Sequence, residues 1–246
     1  MRIKLTEDLA EFLGIIVGDG YIRLRKPIWL SIECAAHERP FIDTNVVPLL
    51  KSIFNIETRP RYFSRKGYNN TYGIVVCNRD LVHCLEKFDV AVKHDIIDVP
   101  KVVLNSKSKK IKSRFLRGYI DTDGCLSFIS KNGKYTYPRL NVSSVSYELL
   151  FNTSKIFNEL GFTGSFWKMK IGKKSKLPLY RFEVKGPKMI DKWFTQIGTK
   201  NSSTLSKYII WKNLGECKTN LSFDERIQIL KSNGLINSNA LVAQFG

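Results

Sequence analysis

The chain of 246 residues carries 40 lysines and arginines against 22 aspartates and glutamates, a formal net charge of +18. Such an excess of one sign predicts a polyanionic partner. Because 43% of the residues are apolar, the chain can form packed cores and is not a disordered basic tail. The sequence shows no secretory signal and no long apolar run, so we expect a soluble intracellular protein, cytoplasmic or organellar, that does not contact a membrane.

A short apolar pattern occurs twice, at residues 12–20 and again at residues 116–124. Aligned without a gap, the two copies place Asp19 on Asp123 and glycines on glycines. Apolar residues at helical spacing followed by Asp-Gly predict in each copy a helix that ends at glycine, a residue that tolerates the left-handed conformation. Small residues four positions apart predict close packing of the two helices. These residues are Gly14 and Gly18 in the first copy and Gly118 and Thr122 in the second.

The two aspartates are predicted to lie side by side at the C-terminal ends of these helices. Each helix terminus already carries about half a negative charge, so the two carboxylates repel each other and the helix ends. Divalent cations relieve this repulsion, because hard cations bind carboxylate and backbone oxygens. A single Asp-Gly is typical of an ordinary turn, but two at matched positions favour a metal site formed by Asp19 and Asp123, with Gly18 and Thr122 as further ligands.

Both segments resemble the LAGLIDADG motif of homing endonucleases. The second copy matches the motif at six of nine positions and the first at four, with Val17 in place of the motif's first aspartate. In that family the metal-binding carboxylate is the second aspartate, which both copies keep. Two copies in one chain resemble the single-chain, pseudo-symmetric members of the family.

The elements around the motifs follow the same order twice, α-β-β-α-β-β-α. Alternating residues predict hairpins over 21–36 and 58–77 in the first half, and over 126–143, turning at Asn132-Gly133, and 165–185 in the second. Predicted helices cover residues 40–54, with Pro48 as a source of a kink, 81–88, 147–160 and 188–196. The predicted fold class is α+β, with two pseudo-symmetric subdomains that each contain a four-stranded antiparallel sheet and meet at the two motif helices.

The predicted domain organisation follows from this repeat. We expect subdomains at residues 1–98 and 113–211, a linker at 99–112 and a C-terminal tail at 212–246. The linker is expected to be basic, because residues 101–117 contain seven cations and no acid. In the tail, Ser222 and Glu225 form a predicted capping box that opens a short helix, and we find no chemistry there.

Each sheet is predicted to pack one apolar face on helices and to leave one cationic face open. A β-ribbon of this kind fits the major groove of double-stranded DNA. The residues expected to contact DNA are Arg23, Arg25, Trp29, Arg59, Arg61 and Arg65 in the first half, and Arg139, Asn141, Lys168, Lys170, Arg181 and Lys185 in the second. Because the two sheets differ in sequence, we expect a long asymmetric target and binding that weakens steeply with salt.

The resemblance implies metal-dependent hydrolysis of DNA phosphodiesters, with Mg²⁺ as the cofactor and Mn²⁺ or Ca²⁺ as substitutes for binding. Family members cut both strands and leave 3′ overhangs. They also carry a lysine after the last short helix of each half, which makes Lys93 and Lys200 catalytic candidates beside Asp19 and Asp123. In so basic a chain, solvated surface charge is the alternative role for either lysine. The water-ordering glutamine that the family often has after the second strand has no counterpart at 35–37 or 144–146.

The leading interpretation is a monomeric, site-specific homing endonuclease that is free-standing or intron-encoded and lies outside an intein. One alternative is a maturase that binds intron RNA with the same scaffold. A second alternative is a DNA-binding regulator without nuclease activity. Loss of Asp19 or Asp123 would be the signature of the regulator, and the chain keeps both residues.

Overall fold

The first half contains one motif helix and a four-stranded sheet with its covering helices. The computed structural model describes residues 4–64, 70–90, 96–169 and 177–236. The strands are β1 (Gly20–Arg23), β2 (Trp29–Ala35), β3 (Arg61–Phe63) and β4 (Thr71–Val76). The helices are α1 (Glu7–Asp19), α2 (Arg39–Phe41), α3 (Val47–Phe54) and α4 (Arg79–Glu86), with a 3-10 turn at Ala36–Glu38 and a π-helical segment at Ile42–Val46. All strand pairs are antiparallel, in the order β1-β2-β4-β3.

The second half repeats this arrangement. Its strands are β5 (Gly124–Lys131), β6 (Lys134–Ser144), β7 (Gly164–Lys168) and β8 (Tyr180–Lys185), in the antiparallel order β5-β6-β8-β7. Its helices are α5 (Lys101–Leu104), α6 (Lys109–Asp123), α7 (Tyr147–Glu159), α8 (Pro187–Gln196), α9 (Ser202–Leu214) and α10 (Phe223–Ser232). The predicted class, with two four-stranded antiparallel sheets in corresponding positions, is confirmed.

Alternation along the central strands determines which sheet face is buried. In the first sheet Leu30 and Ile32 of β2 are at most 1% exposed, and in the second Leu140 and Val142 of β6 are at most 2% exposed. Helices cover these apolar faces, and we call the opposite face of each sheet its open face. In the hairpin between β5 and β6, Asn132 and Gly133 both have positive φ angles, as expected for a tight turn.

The predicted helix over 40–54 has three parts. A π-helical segment separates α2 from α3, and Pro48 is the second residue of α3. Proline lacks an N–H and its ring crowds the preceding turn of an α-helix, which the wider π-helical turn can accommodate. The predicted irregularity at Pro48 therefore takes the form of a change in helix type.

The segment predicted as a basic linker contains regular structure. Helix α5 lies within residues 99–112, and α6 begins at Lys109, ahead of the predicted boundary at 113. The domain boundaries themselves stay a prediction. Helix α9 is absent from our sequence-based elements, because its apolar residues do not collect on one face. Helix α10 has the predicted capping box between Ser222 and Glu225.

Candidate active site

Helices α1 and α6 approach each other backbone to backbone. A Cβ atom on Gly14 would overlap the carbonyl oxygen of Phe115, and one on Gly118 would overlap the carbonyl oxygen of Glu11. Only glycine allows such a distance between helix axes. The predicted packing along the small residues is therefore present, and it places the C-terminal ends of the two helices next to each other.

The two helices end at Asp19 and Asp123, and a glycine follows each. Neither glycine has the left-handed conformation that the sequence suggested, since φ is −77° at Gly20 and −79° at Gly124. A Cβ on Gly20 would instead overlap the carbonyl oxygen of Ile16. Close approach of the chain to the last helical turn is thus the reason for glycine at this position.

The carboxyl groups of Asp19 and Asp123 lie within electrostatic reach of each other. A Cβ atom on Gly18 would lie 3.6 Å from the carboxyl carbon of Asp123, directly across the helix interface. Asp19 is partly buried, and this burial raises its pKa to about 7, with further contributions from the charges of Asp123 and Glu38. Burial and repulsion both favour the neutral carboxyl group. A cation bound beside the two aspartates would favour their ionised forms and so oppose both effects.

A buried hydrogen-bond network joins α6 to the segment before α9. Asp121 is 3% exposed, and its carboxylate accepts the backbone N–H of Lys200 at 2.7 Å and the hydroxyl of Thr199. The side-chain amide of Asn201 donates to the Asp121 carbonyl oxygen at 2.9 Å and to the Glu38 carboxylate at 2.7 Å. Lys200 therefore has a fixed backbone position and an exposed side chain.

The open face of the first sheet carries three of the predicted DNA contacts. The pairing register places Arg23, Trp29 and Arg61 on this face. The Trp29 ring lies 5.1 Å from that of Tyr21, and the guanidinium of Arg61 lies 5.0 Å from the centre of the Phe63 ring. The face therefore combines cations with flat aromatic groups.

The other candidates of the first half lie elsewhere. Arg25 is exposed in the turn between β1 and β2. Arg59 precedes β3 and lines a cleft together with Lys51 of α3, so it sits at the edge of the sheet and not within a strand. Arg65 and Lys93 lie outside the described residues.

The open face of the second sheet carries four predicted contacts, Arg139, Asn141, Arg181 and Lys185. They surround Glu183, which is 3% exposed although it is on the open face. The ammonium of Lys185 lies 3.0 Å from the Glu183 carboxylate, and a guanidinium nitrogen of Arg139 lies 3.6 Å from it. One acid therefore sets the positions of two neighbouring cations.

The face predicted for Lys168 is wrong. In β7, Lys168 pairs with Tyr180 and lies on the same side of the sheet as Phe166. The rings of Phe166 and Tyr180 both contact Tyr147 of α7, so this side is the helix-covered one. Trp167 takes the open-face position instead. Both alternating sets of this edge strand contain an aromatic residue, so hydrophobicity did not distinguish the faces. Lys170 lies outside the described residues.

Comparison with known proteins found one matching family model and several solved structures with a similar fold. Residues 110–198 match the model described as the LAGLIDADG-like domain. Mesophilic variants of the homing endonuclease I-DmoI match with 15% identity and a TM-score of 0.54, over 78% of this chain and 95% of that one. I-WcaI bound to its DNA recognition sequence matches with 18% identity and a TM-score of 0.53, over 79% and 82%. The N-terminal LAGLIDADG domain of WhiA matches with 15% identity and a TM-score of 0.50, over 78% and 81%. The comparison with curated proteins found no match.

The family model covers the second half of the chain, and the structural matches extend the likeness to both halves. The chain has the LAGLIDADG fold. The resemblance inferred from the two short motifs is thereby confirmed. Both LAGLIDADG copies supply the helices at the centre of the molecule, and both end at the acidic residues that were predicted to bind metal.

The donor atoms of this LAGLIDADG centre fit a hard divalent cation. Asp19 and Asp123 would supply carboxylate oxygens, and the preceding residues Gly18 and Thr122, in the last turn of each helix, would supply backbone carbonyls. The hydroxyl of Thr122 lies 3.1 and 2.9 Å from carbonyl oxygens of its own helix, which occupy its proton. Across the described parts of the chain, no group of three or more His, Cys, Asp or Glu side chains is arranged to hold a metal.

Three residues of the LAGLIDADG centre lacked a role in the sequence interpretation. Glu38 lies one position beyond the segment searched for a water-ordering residue, and its place after β2 was the signal for it. Asn201 caps α9, which its position before Ser-Ser-Thr suggests. Asp121 belongs to the motif itself, but only its contacts with residues 199–201 reveal what it does.

None of the helices in the described ranges combines the length and the apolar character that a membrane crossing requires.

Proposed function

We propose that the protein is a site-specific endonuclease that hydrolyses phosphodiester bonds of double-stranded DNA. The observation that carries this proposal is the pair Asp19 and Asp123 at two adjoining helix ends, in a chain whose sheets both have cationic open faces. Solved structures of I-DmoI contain its target DNA with Mn, Ca or Mg. Those complexes support the same class of substrate and a divalent cation for this chain.

Each open face is proposed to hold one half of a long asymmetric target. The two faces differ, with Trp29 and Arg61 on the first and Arg139 and Arg181 on the second. Arginine can bind guanine edges with two hydrogen bonds, whereas other cations on these faces contact phosphates. Binding then weakens steeply with salt, because phosphate contacts release counterions from the duplex.

The acidic pair is proposed to be the cleavage centre. When bound, a divalent cation, Mg²⁺ in this proposal, supplies an activated water and neutralises charge on the leaving oxygen. Asp19 and Asp123 hold that cation, with the carbonyls of Gly18 and Thr122 beside them. Lys200 offsets negative charge that develops on the scissile phosphate, and Lys93 is proposed to do so for the other strand. We propose that both strands are cut with 3′ overhangs by a monomer.

Selection from randomised DNA tests the proposal without knowledge of the target. The full chain is incubated with a library of random duplexes in Mg²⁺, and bound molecules and newly cut ends are sequenced. We expect one long asymmetric consensus that is cut in both strands. A consensus that is bound but never cut, in Mg²⁺ or Mn²⁺, would support the regulator. Stronger binding of structured RNA than of DNA in competition would support the maturase.

Substitution of the acidic pair tests the site. Asp123→Asn is expected to keep DNA affinity in Ca²⁺ and to lower the cleavage rate by at least about a hundredfold, because it removes a charge that holds the cation. Asp224→Asn, in the first turn of α10, is the matched control and should cut like the parent protein. Full activity of Asp123→Asn would contradict the site assignment.

A further inference from the structure

The two LAGLIDADG copies differ in polarity at the buried position two residues before each aspartate of the acidic pair. The second copy has Asp121, which is 3% exposed, and the first has Val17, which is 2% exposed. Burial of a carboxylate is unfavourable unless it is hydrogen-bonded, whereas burial of valine is favourable. Because α1, the counterpart of α6 in the first half, is packed with Val17 at the matching position, packing between the halves does not require an acid there. The carboxylate of Asp121 therefore has a role that the side chain of Val17 does not have.

The contacts of Asp121 indicate this purpose. Three consecutive residues are attached to it: the hydroxyl of Thr199 and the backbone N–H of Lys200 donate to its carboxylate, and the side chain of Asn201 donates to its carbonyl oxygen. Asn201 in turn accepts the N–H of Ser203 at 2.9 Å as the cap of α9. The backbone of Lys200 is thereby held against α6 at a level about 3 Å along the helix axis from Asp123.

We propose that Asp121 is a positioning residue that acts through Lys200. It fixes the backbone from which the Lys200 ammonium reaches the scissile phosphate in one of the two strand positions. The side chain of Val17 cannot accept a hydrogen bond, so a carboxylate attachment of this kind is excluded at the corresponding position of the first copy. The two strands of the target then depend on different arrangements, and loss of Asp121 slows the cut in only one of them. This inference rests on the proposed function.

Strand-resolved cleavage tests the inference. A duplex obtained from the random library is labelled on each strand in turn, and single-turnover rates are measured in Mg²⁺. Asp121→Val, which copies the first motif, should slow one strand by about tenfold to a hundredfold and leave the other strand and DNA affinity within about twofold. Asp121→Asn should restore most of the rate, because its amide oxygen accepts the Lys200 N–H and its amide nitrogen can donate to Thr199. Equal slowing of both strands, or of neither, would overturn the proposal.

A double substitution tests whether the effect passes through Lys200. Lys200→Met should slow the same strand as Asp121→Val, and addition of Asp121→Val to Lys200→Met should have little further effect. Effects that multiply would show that Asp121 acts by another route. Thr199→Val removes one donor without touching α6 and should reproduce part of the loss on the same strand, which separates the inference from a failure of α6 to fold.

Hydrogen exchange distinguishes failure of this inference from failure of the proposed function. Exchange of the Lys200 amide is measured in the full chain without metal or DNA, so the readout does not depend on cleavage. Asp121→Val should raise the exchange rate at Lys200 by at least about tenfold, whereas Asp121→Asn should leave it near that of the parent protein. An unchanged rate in Asp121→Val would overturn the positioning role even in an active enzyme. A parent protein that cuts neither strand would refute the proposed function instead.

Discussion

At the scale of single residues, the two acids of the repeat are equivalent in sequence but differ in environment. Asp19 is partly buried and lies near Glu38, whereas Asp123 is exposed. Without a cation, the folded protein keeps the Asp19 proton to a higher pH than the unfolded chain does, since its pKa is raised from 3.8 to about 7. Ionisation of Asp19 is therefore destabilising in the metal-free protein.

The Asp19 carboxyl should make metal-free stability depend on pH. Because its folded pKa lies above its unfolded value, its contribution to stability decreases as pH rises from about 4 to about 7 and is constant above that. Asp19→Asn removes this effect. In EDTA, the gain in unfolding free energy from Asp19→Asn should be about 2 kcal/mol larger at pH 8 than at pH 5.5. Urea unfolding at both pH values measures it.

The matched control for this experiment is Asp80→Asn, which neutralises an exposed acid in the first turn of α4. This variant should change stability by similar amounts at the two pH values. An equal gain for Asp19→Asn at pH 5.5 and pH 8 would contradict the raised pKa of Asp19.

Glu183 is the residue that limits the positive charge of the second open face. Its carboxylate lies 3.0 Å from Lys185 and 3.6 Å from Arg139. Glu183→Gln frees both cations for phosphates, so DNA binding should tighten and the slope of log K against log salt should steepen by up to about one. Fluorescence anisotropy over a salt series measures both. Glu148→Gln, on the helix-covered side, should change neither, and an unchanged slope in Glu183→Gln would show that the two cations do not contact phosphate.

At the scale of elements, the junction of α1 and α6 determines the position of the proposed cleavage centre. In addition to the close glycine contacts, a buried ion pair joins the two helices. Glu11 of α1 is 1% exposed, and its carboxylate accepts a hydrogen bond from Nε of Arg117 in α6 at 3.1 Å. Asn45 donates to the same carboxylate at 3.3 Å. A buried acid with these partners joins the two halves at the level of the helix midpoints. Small shifts at this junction would separate the two aspartates.

Gly118→Ala tests this junction. Its Cβ would overlap the carbonyl oxygen of Glu11, so the helices must move apart. Overpacking of this kind should lower the unfolding free energy by about 1–3 kcal/mol and should reduce cleavage more than DNA binding. Chemical denaturation and cleavage assays of folded protein measure the two effects. Lys110→Ala, which places alanine on the exposed side of the same helix, should have little effect, and stability equal to the parent protein in Gly118→Ala would refute close packing.

Helices α9 and α10 support the segment that carries Lys200. Arg226 of α10 is 5% exposed and donates to Ser206 at 2.9 Å and to Ser203 at 2.8 Å, both in α9. Ser203 lies in the first turn of α9, directly after the cap residue Asn201. The tail, for which the sequence suggested no chemistry, therefore fixes the helix at whose start the catalytic candidate lies.

At the scale of the whole molecule, the repeat gives two similar sheets whose open faces carry different side chains. The strand orders are the same, yet the residues on the two open faces are not. A single chain can therefore bind a target without internal symmetry. In the proposed function, the net charge of +18 promotes encounter with any duplex, and the two faces then select the sequence.

Each sheet should protect its own half of the target. Arg61→Ala, on the first sheet, should weaken protection on one side of the cut, and Arg181→Ala, on the second sheet, should weaken it on the other side. Each should reduce affinity by about 1–3 kcal/mol if the guanidinium contacts a base. Hydroxyl-radical footprinting on a selected target measures both variants. Loss of protection on the same side in both would contradict the assignment of one half-site to each sheet.

Sequence pattern alone was sufficient for the repeat, the order of the strands and the acidic pair, but not for helices α5 and α9. The reason is that helical spacing, strand alternation and turn residues act over short distances along the chain. Leu30 and Ile32 alternate in a central strand with one buried face, so their side was predictable. Lys168 is in an edge strand with aromatic residues on both sides, and only cross-strand pairing with Tyr180 determines its face.

Only the tertiary structure showed which hydrogen bonds hold Asp121 and Glu38 in place. The contacts of Asp121 with Thr199 and Lys200, and of Asn201 with Glu38, join segments that are far apart in sequence. No local spacing encodes such pairs, since their energy arises when burial removes water from polar groups that folding brings together. The sequence by itself determined the two copies of the motif and the order of the strands that follow each copy. The hydrogen bonds from residues 199–201 to Asp121 decided which of the many cations has its backbone attached to α6.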